Sequence, residues 1–413
     1  MNYVAFKKAC KGKGTTPTAL SLKLGLKKGN ATSWKNGGNP SVEILIKLAV
    51  ELDCSTDYLL GLDDVPNRRG VKTTKENYDF KKINYFECSS YNELLSEMQP
   101  GGKLAEVQSQ YVFRGQSTEY ELIPQLMRAS NNNEMKKTLH FYAKDSLPEE
   151  NDIEKLKNDE IDNIEYVYRR AEYNILKDFY NSMNKAGLRI PHSVFESHNN
   201  FDLESYLHNS EWLPPDLIDI AALARHYEVP TRLLDWSFDI NVALYFAAIG
   251  AIRKIVKNEN EINKNIVIWL LNQDKIKNYK SEDVFPLRIV VPKYHNNPNL
   301  CLQKGALTYW WDKKDSSKDY SKNIAPLNAL LNNYYTELRK NALFTISIPR
   351  TECLKIIKHL YNNGYNASTL VAGYVGAARK IEEDLLISQA EEIFEKHNKK
   401  AATADRGGKG KEY

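Results

Sequence analysis

The chain has few cysteines and lacks any long apolar run. Its 413 residues include five cysteines, which lie far apart and show neither a CxxC pair nor the Cys/His spacing of a zinc site. We therefore expect reduced thiols and no metal centre. No stretch approaches eighteen apolar residues, and the first residues lack the apolar core of a signal peptide. The sequence thus predicts a cytoplasmic protein with no membrane span.

Arginine is missing from the first 64 residues, although the first 51 of them are strongly basic. Residues 1–51 hold nine lysines and two glutamates, which gives them a net charge of +7. Apolar residues at helical spacing predict a set of short helices, one of which begins at Thr16-Pro17 with a typical cap and first turn. Trp34 is expected to face inward. One interpretation is a small helical bundle whose basic face is merely solvated.

The region also resembles the phage-repressor (Cro- or XRE-type) helix-turn-helix family, over residues 1–64. The similar segments are Pro17 to Trp34, Asn36-Gly37, Asn39-Pro40 and Ser55 to Gly61. In that family the second helix of the pair enters the major groove of double-stranded DNA, and members bind paired half-sites as homodimers. The positions that the resemblance places near DNA are Lys28, Asn30, Thr32, Ser33 and Lys35. Without arginine, a bidentate contact to guanine must come from lysine or be absent.

Composition divides the rest of the chain. Residues 65–87 are polar and are predicted to be a linker, residues 88–390 alternate strand and helix patterns, and residues 391–413 are charged and predict a disordered tail. Residues 130–150 predict an asparagine-rich loop, and Ile161 to Phe179 predict a long helix with a solvated charged face. We expect an N-terminal all-α helix-turn-helix domain and a larger α+β domain with a central mixed sheet flanked by helices.

Two predicted strands of the larger region carry charged residues. Tyr111 to Gln116 alternates as a strand and contains Arg114, while Pro230 to Trp236 contains Arg232 and Asp235 and leads into an apolar, buried helix. Arginine is seldom buried without a partner. Arg114 therefore either pairs with a core carboxylate, for which Asp235 is a candidate, or binds an anion through its forked guanidinium.

Motifs spread over residues 88–385 together resemble the FRG domain family. They are Phe113-Arg114-Gly115, His226-Tyr227, Pro230 to Ser237, Ala243 to Ala247 and Gln303-Lys304-Gly305. The chain departs from the family at Arg225 and Glu228, where Gln and Gly are usual, at Asn299, where an arginine is frequent, and at Leu307, which replaces a phenylalanine. Loss of that arginine would weaken or reshape anion binding at this edge.

The order of these motifs is similar to the layout of ADP-ribosyltransferases, which implies NAD as a substrate and no further cofactor. That resemblance implies that Arg114 binds phosphate, that Asp235 and Ser237 frame the pocket, and that Gln303 stands in the place of the catalytic glutamate. A glutamine cannot act as a carboxylate base, so the resemblance favours a nucleotide pocket over transfer. The candidate catalytic residues are Arg114, His226, Asp235 and Gln303, and the candidate ligand-binding residues are Arg114, Gly115, Arg232 and Ser237. A structural role is the alternative for His226.

Three functional hypotheses follow. The first is a sequence-specific DNA-binding regulator whose FRG domain binds a nucleotide or anionic ligand, in phage defence, a mobile element or a toxin–antitoxin-like system. The second is an NAD-consuming, ADP-ribosyltransferase-like effector that is autoregulated through its DNA-binding domain. The third is a regulator whose FRG domain is a protein-interaction module. All three include DNA binding, and the length of the chain beyond the first domain favours an added activity.

Overall fold

A computed structural model of the chain divides into two compact units, Met1–Tyr78 and Asp79–Tyr413. The structure describes residues 2–27, 29–38, 40, 42–52, 59, 84–130, 132–144, 164–191, 193, 195, 212–277, 286–310, 325–336 and 342–408. Lys28, most of Ser55 to Gly61 and residues 65–83 of the predicted linker therefore lie outside the described residues.

The N-terminal unit is helical throughout its described elements. These are α1 (Tyr3–Gly12), α2 (Pro17–Lys23), α3 (Asn30–Lys35) and α4 (Val42–Leu52). Thr16 caps α2 as the sequence predicted, because its Oγ1 accepts a hydrogen bond of 3.2 Å from the backbone N–H of Ala19. Gly25, at φ +71°, turns the chain after α2. Phe6, Trp34 and Leu48 belong to one buried apolar cluster.

The larger unit is built on one seven-stranded mixed sheet. Its strands are β1 (Asn84–Glu87), β2 (Tyr111–Gln116), β3 (Leu234–Ser237), β4 (Asn265–Asn272), β5 (Leu287–Val290), β6 (Gly305–Trp310) and β7 (Leu343–Pro349). Their order across the sheet is β1-β7-β4-β2-β3-β6-β5. β1 and β7 run parallel, whereas the other neighbouring strands run antiparallel. The predicted α+β class is confirmed.

Helices flank this sheet. They are α5 (Tyr91–Met98), α6 (Lys103–Val107), α7 (Asn133–Ala143), α8 (Ile164–Lys185), α9 (Pro215–His226), α10 (Ile240–Lys257), α11 (Gln273–Lys277), α12 (Pro298–Leu302), α13 (Leu327–Thr336), α14 (Cys353–Asn362), α15 (Ala367–Leu370) and α16 (Gly373–Gly408). Short 3-10 helices cover Gln108–Gln110, Leu126–Ser130, Glu259–Asn263, Tyr294–Asn296 and Arg350–Glu352. No helix in the described part of the chain has the length and apolarity needed to cross a bilayer.

The buried helix α10 lies directly against β2. Gly115 makes this approach possible, since a Cβ at this position would overlap the backbone carbonyl oxygen of Ala243. Phe113, Ala243 and Ala247 belong to the same apolar cluster between the helix and the sheet. In β2, Arg114 is therefore followed by Gly115, the residue that allows α10 to pack closely against the strand.

Two segments expected to be irregular form regular structure. The predicted linker ends in β1, whose backbone pairs in parallel with β7 from Asn84 opposite Phe344. The predicted loop at 130–150 contains α7, because Met135, Leu139 and Ala143 recur at helical spacing and are buried. Asparagine starts this helix instead of preventing it. The side chain of Asn132 accepts a hydrogen bond of 2.9 Å from the backbone N–H of Glu134.

Helices α8 and α16 also correct the sequence analysis. The charged face of α8 is not simply solvated, since Glu165, Arg169 and Glu172 are buried. The tail predicted from residue 391 is helical as far as Gly408. This helix continues past 390 because Ala390 and the buried Phe394 pack into the apolar cluster beside α10.

Candidate functional site

A cavity of about 540 Å³ opens at the junction of β2, β3 and the segment that precedes β6. Six of the residues proposed from the sequence line it, namely Arg114, Gly115, His226, Asp235, Ser237 and Gln303. The cavity falls within the size range of small-molecule sites. Further lining residues come from the end of α9 and from the first turns of α16.

Strand order explains why distant motifs meet here. β2, β3 and β6 are neighbours in the sheet. Phe113 of β2 lies opposite Ser237 of β3, and Ser237 lies opposite Gly305 of β6. Segments that are 124 and 68 residues apart in sequence are therefore fixed beside one another by backbone pairing. β3 begins at Leu234, so the predicted strand was too long at its start, and Pro230 precedes it as irregular chain.

Arg114, Arg225 and Asp235 form a charged group on the cavity wall, which we call the Arg114 cluster. Arg114 Nη1 donates a hydrogen bond of 2.6 Å to the backbone carbonyl of Asp235 and lies 3.6 Å from its carboxylate. Arg225 makes the shorter ion pair, with Nε and Nη2 at 3.0 and 2.8 Å from Asp235 Oδ2. Arg225 Nη1 also donates to Gln125 Oε1 at 2.8 Å. The pairing of Arg114 with Asp235 is thus observed, but Asp235 is shared.

The ionisation of this cluster follows from burial and mutual attraction. Burial lowers the pKa of Arg114 to about 10, an effect that Asp235 offsets in part and that Arg225 and Arg128 reinforce. Burial raises the pKa of Asp235, but the guanidinium groups of Arg225 and Arg114 outweigh it, so the pKa lies below its usual range. Arg114 and Asp235 are therefore both charged near neutral pH. Two guanidinium groups share one carboxylate, which leaves an excess of positive charge.

The imidazole of His226 is held by a hydrogen bond within the protein. Its Nε2 contacts the side-chain amide nitrogen of Asn299, while the oxygen of that amide accepts a hydrogen bond from the backbone N–H of Ala372. The second bond orients the amide so that its nitrogen donates to His226, which assigns the imidazole proton to Nδ1. Burial lowers the pKa of His226, consistent with a neutral ring. Through Asn299 of α12, these two bonds connect the end of α9 to Ala372, the residue before α16.

Ser237 and Gln303 use their polar atoms to hold the cavity wall together. Ser237 Oγ donates to the carbonyl of Gln303 at 2.7 Å and accepts from the N–H of Asp239 at 2.9 Å. The side-chain amide of Gln303 donates to the carbonyl of Leu370 at 3.0 Å. Asp239 in turn caps α10 by accepting from the N–H of Asn241 at 2.9 Å. Their contacts are those of positioning residues.

Arg232, proposed from the sequence as a ligand-binding residue, does not line this cavity. We call Arg232, Glu165, Arg169 and Glu172 the Arg232 cluster. Arg232 Nε lies 2.6 Å from Glu172 and its Nη1 lies 2.8 Å from Glu165, which also accepts from Arg169 at 3.0 Å. Trp212 Nε1 donates to Glu172 at 2.7 Å. The cluster is buried and balances two positive with two negative charges, so the charge of Arg232 is neutralised within the protein.

The N-terminal unit presents a polar face on α3. Thr32, Ser33 and Lys35 are exposed and Asn30 is half-buried, whereas Ala31 and Trp34 of the same helix are buried. The residue pattern thus divides α3 into a core face and an accessible face. Hydroxyl, amide and ammonium groups of this kind can contact phosphates and base edges.

Several lining residues were not identified as site residues from the sequence: Arg225, Phe246, Asn299, Val375 and Arg379. Arg225 and Asn299 were noticeable as departures from the FRG pattern, so an unusual residue inside a motif was the available signal. Phe246 was assigned to a buried helix face. Nothing in the sequence around Val375 and Arg379 connects the start of α16 to the other motifs. Groups of His, Cys, Asp or Glu suited to a metal ion are absent among the described residues.

Comparison with known families agrees with the division into two units. A helix-turn-helix family model matches residues 6–59, and an FRG domain family model matches residues 109–254. The match in the N-terminal unit suggests a DNA-binding regulator. The larger unit contains the segment that resembles FRG domains. No curated protein and no solved structure matches the chain, and these findings do not support the resemblance to ADP-ribosyltransferases.

Proposed function

We propose that the protein is a sequence-specific, homodimeric DNA-binding regulator whose FRG domain binds a small anionic ligand. The ligand occupies the cavity beside the Arg114 cluster. The observation that carries this proposal is the excess of positive charge on the wall of an open cavity of about 540 Å³. Guanidinium groups bind phosphate and carboxylate in a forked geometry, which suits such a wall to an anion.

The accessibility of the cluster supports this assignment. The side chains of Arg114, Arg225 and Asp235 are 15%, 20% and 42% exposed, so an incoming anion can reach them. Arg128 is close enough to lower the pKa of Arg114 and adds to the positive potential. An anion would supply the negative charge that Asp235 alone does not provide.

The ligand-binding proposal is tested by two substitutions of opposite expected sign. Full-length protein is titrated calorimetrically with inorganic pyrophosphate as the anion probe. Arg225→Gln removes a charge-assisted donor and is expected to weaken binding roughly tenfold. Asp235→Asn removes the competing negative charge and is expected to strengthen binding. A purely structural cluster would not produce this opposition.

Controls keep the result interpretable. Arg253→Gln removes an exposed charge from α10 away from the lining residues and is expected to leave binding unchanged. Thermal unfolding of each variant reports whether it is folded, and Arg225→Lys keeps the charge while removing the fork. The proposal is rejected if the wild-type protein does not bind pyrophosphate, or if Asp235→Asn and Arg225→Gln both weaken binding.

DNA recognition is proposed for the accessible face of α3. Fluorescence anisotropy with the duplex upstream of the gene is expected to show binding that weakens steeply with salt. Lys35→Ala should weaken binding and reduce the salt slope by about one unit, while Thr32→Ala should alter preference among duplexes. Lys257→Ala removes an exposed lysine of the larger unit as a matched control. Equal binding by the Lys35→Ala and Lys257→Ala variants would contradict this assignment.

ADP-ribosyl transfer is left out of the proposal on chemical grounds. Gln303 carries no charge and its amide is bonded to Leu370, while Asp235 is ion-paired with Arg225. Release of nicotinamide from NAD by the wild-type protein, and its loss in Arg225→Gln, would favour the transferase instead. A regulator that responds to a small anion would fit phage defence, a mobile element or a toxin–antitoxin-like system.

A further inference from the structure

The cavity beside the Arg114 cluster has an apolar side as well as a charged one. Phe246, Val242 and Val375 line it together with the arginines. Val242 and Phe246 are one helical turn apart on α10, next to the face that packs on Gly115. Charged and apolar groups therefore face the same space.

Phe246 is unusual within its helix. Of residues 240–252, all of which the structure describes, Phe246 alone is exposed, at 38%. This part of α10, whose other residues are buried or half-buried, thus leaves one aromatic ring accessible, and that ring lines the cavity. Single exposed apolar residues need no explanation on an ordinary surface.

Other exposed apolar side chains converge on the same cavity. Tyr227 is 64% exposed and Val375 is 56% exposed, and both line it with Phe246. They come from three different elements: the end of α9, the first turn of α16 and the middle of α10. Their convergence distinguishes this patch from scattered surface residues and suits it to a flat or apolar group of a ligand.

We infer that the ligand is a nucleoside phosphate whose base stacks on Phe246 while its phosphate binds the Arg114 cluster. Aromatic side chains accept bases of any sequence through their π-faces, and arginines hold the phosphate. Phe246 is then the residue that distinguishes nucleotides from simple anions. This inference rests on the proposed anion binding and adds the class of ligand to it.

A matched pair of ligands tests the inference on the full-length protein. AMP and ribose 5-phosphate share the sugar and the phosphate and differ in the base. Calorimetric titration is expected to show AMP binding at least about tenfold more tightly than ribose 5-phosphate. Phe246→Ala should bring this ratio close to one.

Two control variants define the contact. Phe141→Ala removes a phenylalanine that is 62% exposed on α7, outside the cavity lining, and should preserve the ratio. Phe246→Leu keeps an apolar side chain without a planar ring and should lose most of the preference. A ratio that survives in Phe246→Leu would show that stacking is not the source, and this would overturn the inference.

The two proposals fail in different ways. If pyrophosphate does not bind, anion binding itself is wrong and the nucleotide assignment falls with it. If pyrophosphate binds while AMP and ribose 5-phosphate bind equally, anion binding stands and the nucleotide assignment is rejected.

Discussion

The Arg114 cluster and the Arg232 cluster place arginines in the same domain with opposite consequences. In the Arg232 cluster two arginines meet two glutamates, and every side chain is at most 2% exposed. In the Arg114 cluster two arginines share Asp235 beside an open cavity. Both clusters place an arginine near an apolar strand, so that feature does not distinguish them. They differ in charge balance and in access from solvent, and these two properties mark the candidate ligand site.

Both clusters contain a buried guanidinium nitrogen without a hydrogen-bond partner in the described part of the chain, so this feature does not distinguish them. Arg114 Nε and Arg232 Nη2 are both buried without a hydrogen-bond partner among the described residues. The difference lies in net charge. Burial lowers the pKa of Arg232, but Glu165 and Glu172 outweigh it and raise the pKa above its usual value, whereas burial prevails for Arg114 and lowers its pKa.

The largest expected effect comes from unbalancing the Arg232 cluster. Glu172→Gln leaves one buried guanidinium without its counter-charge and should lower the free energy of unfolding by about 3–5 kcal/mol. Urea denaturation followed by tryptophan fluorescence measures this change. Glu382→Gln, which removes an exposed carboxylate, is the control and should change the free energy little. A loss below about 1 kcal/mol would mean that this cluster is not the balanced core feature described here.

A second prediction concerns the support of the Arg114 cluster. Gly115→Ala places a Cβ against the carbonyl of Ala243, so α10 must shift away from β2. We expect a loss of roughly 1–3 kcal/mol of unfolding free energy, together with weaker pyrophosphate binding. Gly12→Ala, at a position with open space, serves as the control. Unchanged stability of Gly115→Ala would show that the helix tolerates displacement.

A smaller effect is expected from Asp235→Asn on stability, because its carboxylate is 42% exposed. Such a pair contributes about 1 kcal/mol or less. The pKa of Asp235 lies below its usual range, so the contribution is complete above the ordinary aspartate pKa of about 4 and is lost as pH falls through the lowered folded value. Denaturation from pH 7 to pH 3 should therefore show the two proteins converging. A difference that grows towards acid pH would contradict the sign.

The smallest effect is expected at the rim of the cavity. Arg379 lies 3.8 Å from Glu228, and both side chains are largely exposed. Arg379→Gln should change the free energy of unfolding by less than about 0.5 kcal/mol. It should weaken pyrophosphate binding only slightly, and that weakening should disappear at high salt. A loss of pyrophosphate affinity as large as that expected for Arg225→Gln would indicate that the anion site is centred on α16.

Sequence patterns predicted features of the Arg114 cluster but not the partners of Arg232. β2 was predicted as a strand, although its burial does not alternate, and Asp235 was a candidate partner of Arg114. The three motifs meet because β2, β3 and β6 are neighbours in the sheet. The partners of Arg232 could not be predicted in this way. Glu165 and Glu172 lie some sixty residues earlier, on a helix whose charges are also compatible with a solvated face.

The part of the cavity wall that α16 supplies could not be predicted from the sequence either. Val375 and Arg379 are adjacent to the cavity because the helix is held in the core by distant contacts. Glu383, for example, accepts hydrogen bonds from Tyr245 at 2.6 Å and Tyr361 at 2.8 Å. Such long-range anchoring leaves no periodic signal near the residues that it positions.

Glu228 and Lys304 show what the cavity motifs require of the backbone. Both adopt left-handed φ values, +63° and +47°, which cost a non-glycine residue about 1–2 kcal/mol. Each also forms an ion pair, Glu228 with Arg379 and Lys304 with Asp239. A glycine at either position would relax the turn and delete the ion pair. Each position therefore combines an unfavourable backbone conformation with an ion pair. Glycine substitutions made one at a time would show which of the two contributes more to thermal stability.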